Sequence, residues 1–156
     1  MVKCKIIRDR QGTTLVETAV VIPVFFFLVF AILEFGHAQM VNNILNSVCR
    51  NGARVGSVEG TSTGQVLGQM NTTFAQVIPS APVSVVVKDA SVYDSGGPPP
   101  TSEAGLLALP DTELSDTEPR QMFLIYASVP YNDIALVSMP FMDGVVLTGQ
   151  SFMRHE

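Results

Sequence analysis

Basic residues are scarce here: nine Lys and Arg stand against fourteen Asp and Glu, for a formal net charge of −5. After Arg10 the only bases are Arg50, Arg54, Lys88, Arg120 and Arg154, scattered without a stripe. Nucleic-acid binding needs a clustered positive footprint, so no nucleic-acid partner is expected. Cysteine is nearly absent as well. Cys4 and Cys49 are the only two, so a domain lacking the first residues has no internal disulfide and must fold by packing alone. Cys49 reads as a small apolar helix residue. Histidine is limited to His37 and to His155, which stands at an end expected to fray. No HExxH, paired CxxC or P-loop occurs, so no metal and no cofactor are expected. The stretch Gly60-Thr61-Ser62-Thr63-Gly64 matches G-x-S-x-G, but that motif needs a hydrophobic strand before it and a large α/β sheet beneath it. Here it follows a helical pattern in a small chain, so a triad is rejected and the chain is expected not to be an enzyme.

What is present is a long apolar run. Residues 13–33 are almost wholly hydrophobic and would rise about 31 Å as a helix, enough to cross a bilayer core. Before them, Lys3, Lys5, Arg8 and Arg10 face only Asp9. The positive-inside tendency keeps that end in the cytoplasm and sends the acidic remainder across. Pro23 lies inside the run and predicts a kink, since neighbouring helices can satisfy the carbonyl it frees. Phe25, Phe26 and Phe27 read as lipid- or helix-facing bulk.

Three readings compete for this segment: a retained anchor, a secretory signal peptide cut near Gly36-His37-Ala38, or a leader cut at Gly12 ahead of a helix that stays. The signal peptide fits poorly, because the run has no polar, helix-breaking end. Helical periodicity also continues past the supposed cut, with Met40, Val41, Ile44, Leu45, Val48 and Val55 on one stripe. One helix is therefore expected from about Thr13 to about Gly56, its first half in lipid and its second half on a soluble domain. Gly52, Gly56, Gly60, Gly64 and Gly68 recur every four residues and read as loosening the helix end and the turn after it.

Glu17 is the one charge within residues 13–33. An acid in such a segment costs on the order of 2.5–3.5 kcal/mol at mid-bilayer. The helix macrodipole returns only about 0.3–1 kcal/mol, too little to account for the position. Gly12, then Thr-Thr-Leu-Val-Glu17, Ala19, Pro23, the pair Glu34 and Gly36, and Arg50-Asn-Gly-Ala-Arg54-Val-Gly56 together resemble the TadE-like family, pseudopilins of the tight-adherence (Flp-type) pilus system. The resemblance covers roughly the first third of the chain. It implies cleavage after Gly12 by a prepilin peptidase on the cytoplasmic face, with Thr13 as the new N-terminus. Thr13 departs from the larger or apolar residue common there in pilins. Glycine at the cut gives backbone access to an extended segment. Cleavage would leave an ammonium at Thr13 and the Glu17 carboxylate about 6 Å up the helix. In low dielectric a paired charge is far cheaper than a lone one, so Glu17 of one subunit is expected to pair with the Thr13 ammonium of a neighbour. Glu34 is a second candidate for contact with an Arg or an N-terminus in an assembly, while His37 reads as an interfacial polar residue.

Beyond Gly60, Ser62 and Gln65 form a capping-box pattern. Val66, Leu67, Met70, Phe74, Val77 and Ile78 then make a second amphipathic stripe that Pro79 ends. Residues 82–89, 121–131 and 145–153 read as three strands. The expected fold class is α+β and pilin-like: a long N-terminal helix, a second helix, then an antiparallel sheet of about three strands. Residues 94–119, rich in Pro, Gly and acid without a base until Arg120's neighbourhood, read as a solvated, mobile loop. Calcium binding by residues 111–118 is disfavoured, because the glycine turn of an EF-hand is missing.

The organisation expected is a leader (1–12), a transmembrane helix (13–33), its amphipathic extension (34–60) and an extracytoplasmic head (61–156). The protein is expected in the inner (cytoplasmic) membrane as a single-pass, minor pilin-like subunit. Membrane lipid, the prepilin peptidase, other pilins and the pilus assembly machinery are its expected partners. The alternative is an uncut single-pass protein whose head binds a ligand or surface.

Overall fold

The computed structural model describes residues 8–79, 82–96, 98, 102–137 and 139–156. Lys3, Cys4 and Lys5, in the expected leader, lie outside the described residues, as do Gly97, Pro99, Pro100 and Thr101 of the acidic connection. Helix α1 spans Arg8–Gly56, about 73 Å of continuous rod. It runs through Pro23 without ending. The apolar part makes no contact with the head over most of its length, and an 18-residue window of mean hydropathy 2.6 is 0% buried. The helix is long and apolar enough to cross a membrane.

The second half of α1 is amphipathic, and the predicted stripe packs into the core except at Met40. Glu34, Ala38, Val41, Leu45, Val48, Cys49 and Ala53 are buried, whereas Met40 faces solvent and Ile44 and Val55 are only half-buried. Helix α2 spans Thr63–Val77. Ser62 Oγ accepts from the Gln65 N–H at 3.3 Å and the Ser62 N–H donates to Gln65 Oε1 at 3.2 Å, so the capping box closes as its sequence pattern requires. Ser62 is thus a cap, with its hydroxyl occupied.

Strands β1 (Ser84–Asp89), β2 (Met122–Pro130) and β3 (Val146–Arg154) form an antiparallel meander in the order β1-β2-β3. The α+β class expected from the sequence is the one observed. Period-two alternation works on β1: Val87 joins the core beneath α1 and α2, while Val86 packs on the opposite face. Central β2 is covered on both sides. Phe123, Ile125, Ala127 and Val129 meet Leu45, Cys49, Val66, Met70 and Phe74. Leu124 and Tyr126 meet Ala90 and Leu106 on the other face.

That second layer corrects the reading of residues 94–119 as a solvated loop. Helix α3 (Glu103–Leu107) is N-capped by Ser102 and buries Leu106. Leu114 and Thr117 are also buried. Lys88 Nζ meets Asp111 Oδ1 at 2.7 Å, and Glu113 Oε1 accepts from the Thr63 N–H at 2.7 Å. The acidic composition hid Leu106, which covers the second face of the sheet, and Leu114, which joins the core beside α1 and α2. A second correction concerns Gly52 and Gly56. A Cβ at Gly52 would collide with Met70, and one at Gly56 would stand 2.8 Å from Leu114 Cδ1. They permit close packing inside the fold and do not loosen the helix end. Only Gly60, at φ +81°, serves the turn.

The C-terminus is held, against the expectation of fraying. His155 is buried, its N–H donates to the Gln121 carbonyl at 3.0 Å, and the Glu156 N–H donates to the Ser57 carbonyl at 2.9 Å. Pairing beyond β3 carries the last residues onto the end of α1.

Candidate assembly site

The first functional element is the lipid-length face of α1. Leu15, Val16, Val20, Val21, Val24 and Phe25 all project outward, giving a surface that only lipid or other helices can cover favourably. Glu17 projects from the same region and is exposed. Among the described residues its carboxylate has no hydrogen bond or ion pair. One turn away, Thr18 Oγ1 donates back to the Thr14 carbonyl at 2.8 Å, an internal bond of the kind a helix in lipid uses to satisfy a hydroxyl. Gly12 and Thr13 lie within α1, which begins at Arg8. The bond between them is therefore helical in the uncut chain, whereas a peptidase needs it extended.

The second element is a joint between α1 and the head. Glu34 stands on the head-facing stripe at the upper end of the apolar run and is 1% exposed. Its carboxylate accepts from the Tyr131 hydroxyl through one oxygen and from the Val137 N–H through the other. The Tyr131 hydroxyl also lies 3.0 Å from the Glu34 carbonyl. Tyr131, at the end of β2, is fully buried. Burial, and next the Glu34 carboxylate beside it, raise its phenol above the usual range. The His37 ring lies 6.3 Å from the Tyr131 ring, tilted by 55°. The sequence put Glu17 and Glu34 in one class as assembly contacts, but the structure separates them. Glu17 is open to a partner, and both oxygens of Glu34 are occupied from within the chain. Tyr131 and Val137 were missed because nothing local in their sequence points 97 or 103 residues back.

The third element is close packing of α1 on β3. Gly149 faces α1 so tightly that a Cβ would stand 2.6 Å from the Leu45 carbonyl carbon and 2.8 Å from the Asn46 nitrogen. Buried Cys49 sits in the same interface, its thiol pushed up to about 12 by burial, with a backbone hydrogen bond at Ala127 opposing weakly.

No curated protein and no solved structure matches the chain. The stretch that carries Glu17, Glu34 and Cys49 does have a counterpart: residues 12–54 match the family model of the TadE-like proteins.

Proposed function

We propose that the protein is a pilin-like subunit of a tight-adherence pilus system, anchored in the inner membrane with its head outside. In this reading a prepilin peptidase cuts after Gly12, and the retained helix packs among other pilins and the assembly machinery. The protein acts by helix–helix association and carries out no reaction. The observation that carries the reading is Glu17: an exposed carboxylate without a partner among the described residues, on a helix of membrane length, four residues beyond the implied new N-terminus. A charge in that setting is far cheaper with a partner than without one, and the Thr13 ammonium of an adjacent subunit is a partner of the right sign and height. The match of residues 12–54 to the TadE-like family supports the same reading.

The test is the N-terminus of the protein from its host, with and without the prepilin peptidase. The expected result is Thr13 with the enzyme and the uncut chain without it. An uncut chain in both would remove the role in filament building.

One observation favours a second reading, an uncut single-pass protein whose head binds a ligand or surface. The helix continues back through Gly12 to Arg8, so a peptidase must unwind its first turn. The same sequencing experiment decides between the two.

A further inference from the structure

We propose that the connection between β2 and β3 is a membrane-dipping tip, which inserts apolar side chains into the outer leaflet beside α1. The inference rests on the reading of α1 as a transmembrane helix and adds a second lipid contact to it.

The tip is apolar and open. Leu136 is 67% exposed, Phe141 50% and Val137 39%, while residues 131–145 contain no Lys or Arg. Its position along α1 gives the depth. Twenty residues from Thr14 rise about 30 Å, the thickness of a bilayer core, so the outer boundary falls near Glu34. Phe27 lies seven residues below Glu34, about 10 Å inside that boundary. Phe141 packs on Phe27 edge to face, with ring centroids 6.1 Å apart. A side chain beside Phe27 stands among acyl chains wherever Phe27 does. The apolar surface of the tip is thus continuous with the lipid face of the helix, and the same lipid covers both.

Several backbone N–H groups of the tip are already paired within the fold. Irregular chain near hydrocarbon needs its polar groups satisfied internally. The Ile134 N–H donates to the Tyr131 carbonyl at 3.0 Å and the Met142 N–H to the Met139 carbonyl at 3.0 Å. The Val145 N–H donates to the Met142 carbonyl at 3.3 Å, and the Glu34 carboxylate takes the Val137 N–H. Asn132 Nδ2 donates to Asp143 Oδ1 at 2.6 Å, closing the neck of the loop with exposed polar groups at headgroup level. With Asp133 and Asp143 at the neck and no base nearby, insertion depends on apolar contact and needs no anionic lipid.

The chain has no tryptophan, so single-tryptophan variants report cleanly. Full-length F141W, L136W, F26W and V58W are placed in phosphatidylcholine nanodiscs with or without bromine on the acyl chains. Quenching by bromine and by acrylamide is then measured for each. Expected are blue-shifted emission, bromine quenching and acrylamide protection for F141W and L136W, matching F26W within the span. V58W, at the far end of the head, should behave oppositely. Bromine quenching of F26W with F141W and L136W open to acrylamide overturns the tip and leaves the span standing. Protection of F141W from acrylamide without bromine quenching also overturns it, since protein then covers the tip. Absence of bromine quenching in F26W overturns the span reading and the tip with it.

Discussion

The Tyr131 hydroxyl donates to the Glu34 carboxylate across 97 residues of sequence, at a place where neither group reaches water. A buried carboxylate oxygen deprived of its donor costs about 1–3 kcal/mol. Tyr131→Phe is therefore expected to lower the unfolding free energy of the detergent-solubilised chain by about that much. Chemical denaturation followed by circular dichroism measures it. An unchanged midpoint would show that the bond does not hold the joint.

Gly149 and Gly68 should respond in opposite directions to alanine. At Gly149 the new methyl meets the backbone of α1, which cannot yield as a side-chain tip can, and overpacking of this kind costs about 1–3 kcal/mol. At Gly68, exposed within α2, a methyl meets nothing and removes chain entropy from the unfolded state, a gain of about 0.4–1 kcal/mol. Paired melts of the two variants check both signs.

The thiol of Cys49 should be silent in the folded head. Thiolate is the reactive form, and burial holds this thiol at about 12. Maleimide at pH 8 is expected to leave it unlabelled until denaturant is added. The folded value lies above the unfolded one near ~8.5. Its stabilising contribution is thus complete below that pH and is lost as pH rises towards 12. A Cys49→Ala variant should show a shallower alkaline decline, with the Tyr126 and Tyr131 phenols, both raised chiefly by burial, contributing to what remains. Counting thiols in denaturant also reports processing: two in the full chain, one after loss of Cys4 with the leader.

Ser62→Ala should cost about 1 kcal/mol by uncapping α2 while leaving filament formation intact at permissive temperature. Glu17→Ala should do the reverse, with unchanged melting of the head and reduced co-assembly with other pilins. Melting curves and pilus yield from the same pair of strains separate a fold residue from an assembly residue.

Much of this architecture was legible because its signals are local. The capping box at Ser62, the alternation of Val83, Val85 and Val87, and the apolar run before Glu34 each specify their element within a few residues. What stayed hidden is long-range. Leu106 and Leu114 sit in an acidic stretch whose composition reads as solvated, and only the folded sheet gives them a reason to be buried, Leu106 on its second face and Leu114 in the core beside α1 and α2. Gly52 and Gly56 look like weak points in a helix until Met70 and Leu114 are placed against them. Glu34 reads as a contact for other subunits until the end of β2 brings Tyr131 to it. For Glu17 the sequence supplies the charge and its place on the apolar helix, and among the described residues no counter-charge meets it.

The absence of any break in α1 between its exposed apolar half and its head-facing half has a mechanical consequence. With Glu34 clasped from the side and Gly149 seated on the rod higher up, the head has no swivel. A tilt, rotation or upward stroke imposed on the apolar end would be passed in full to the sheet, as through a lever with its load bolted on.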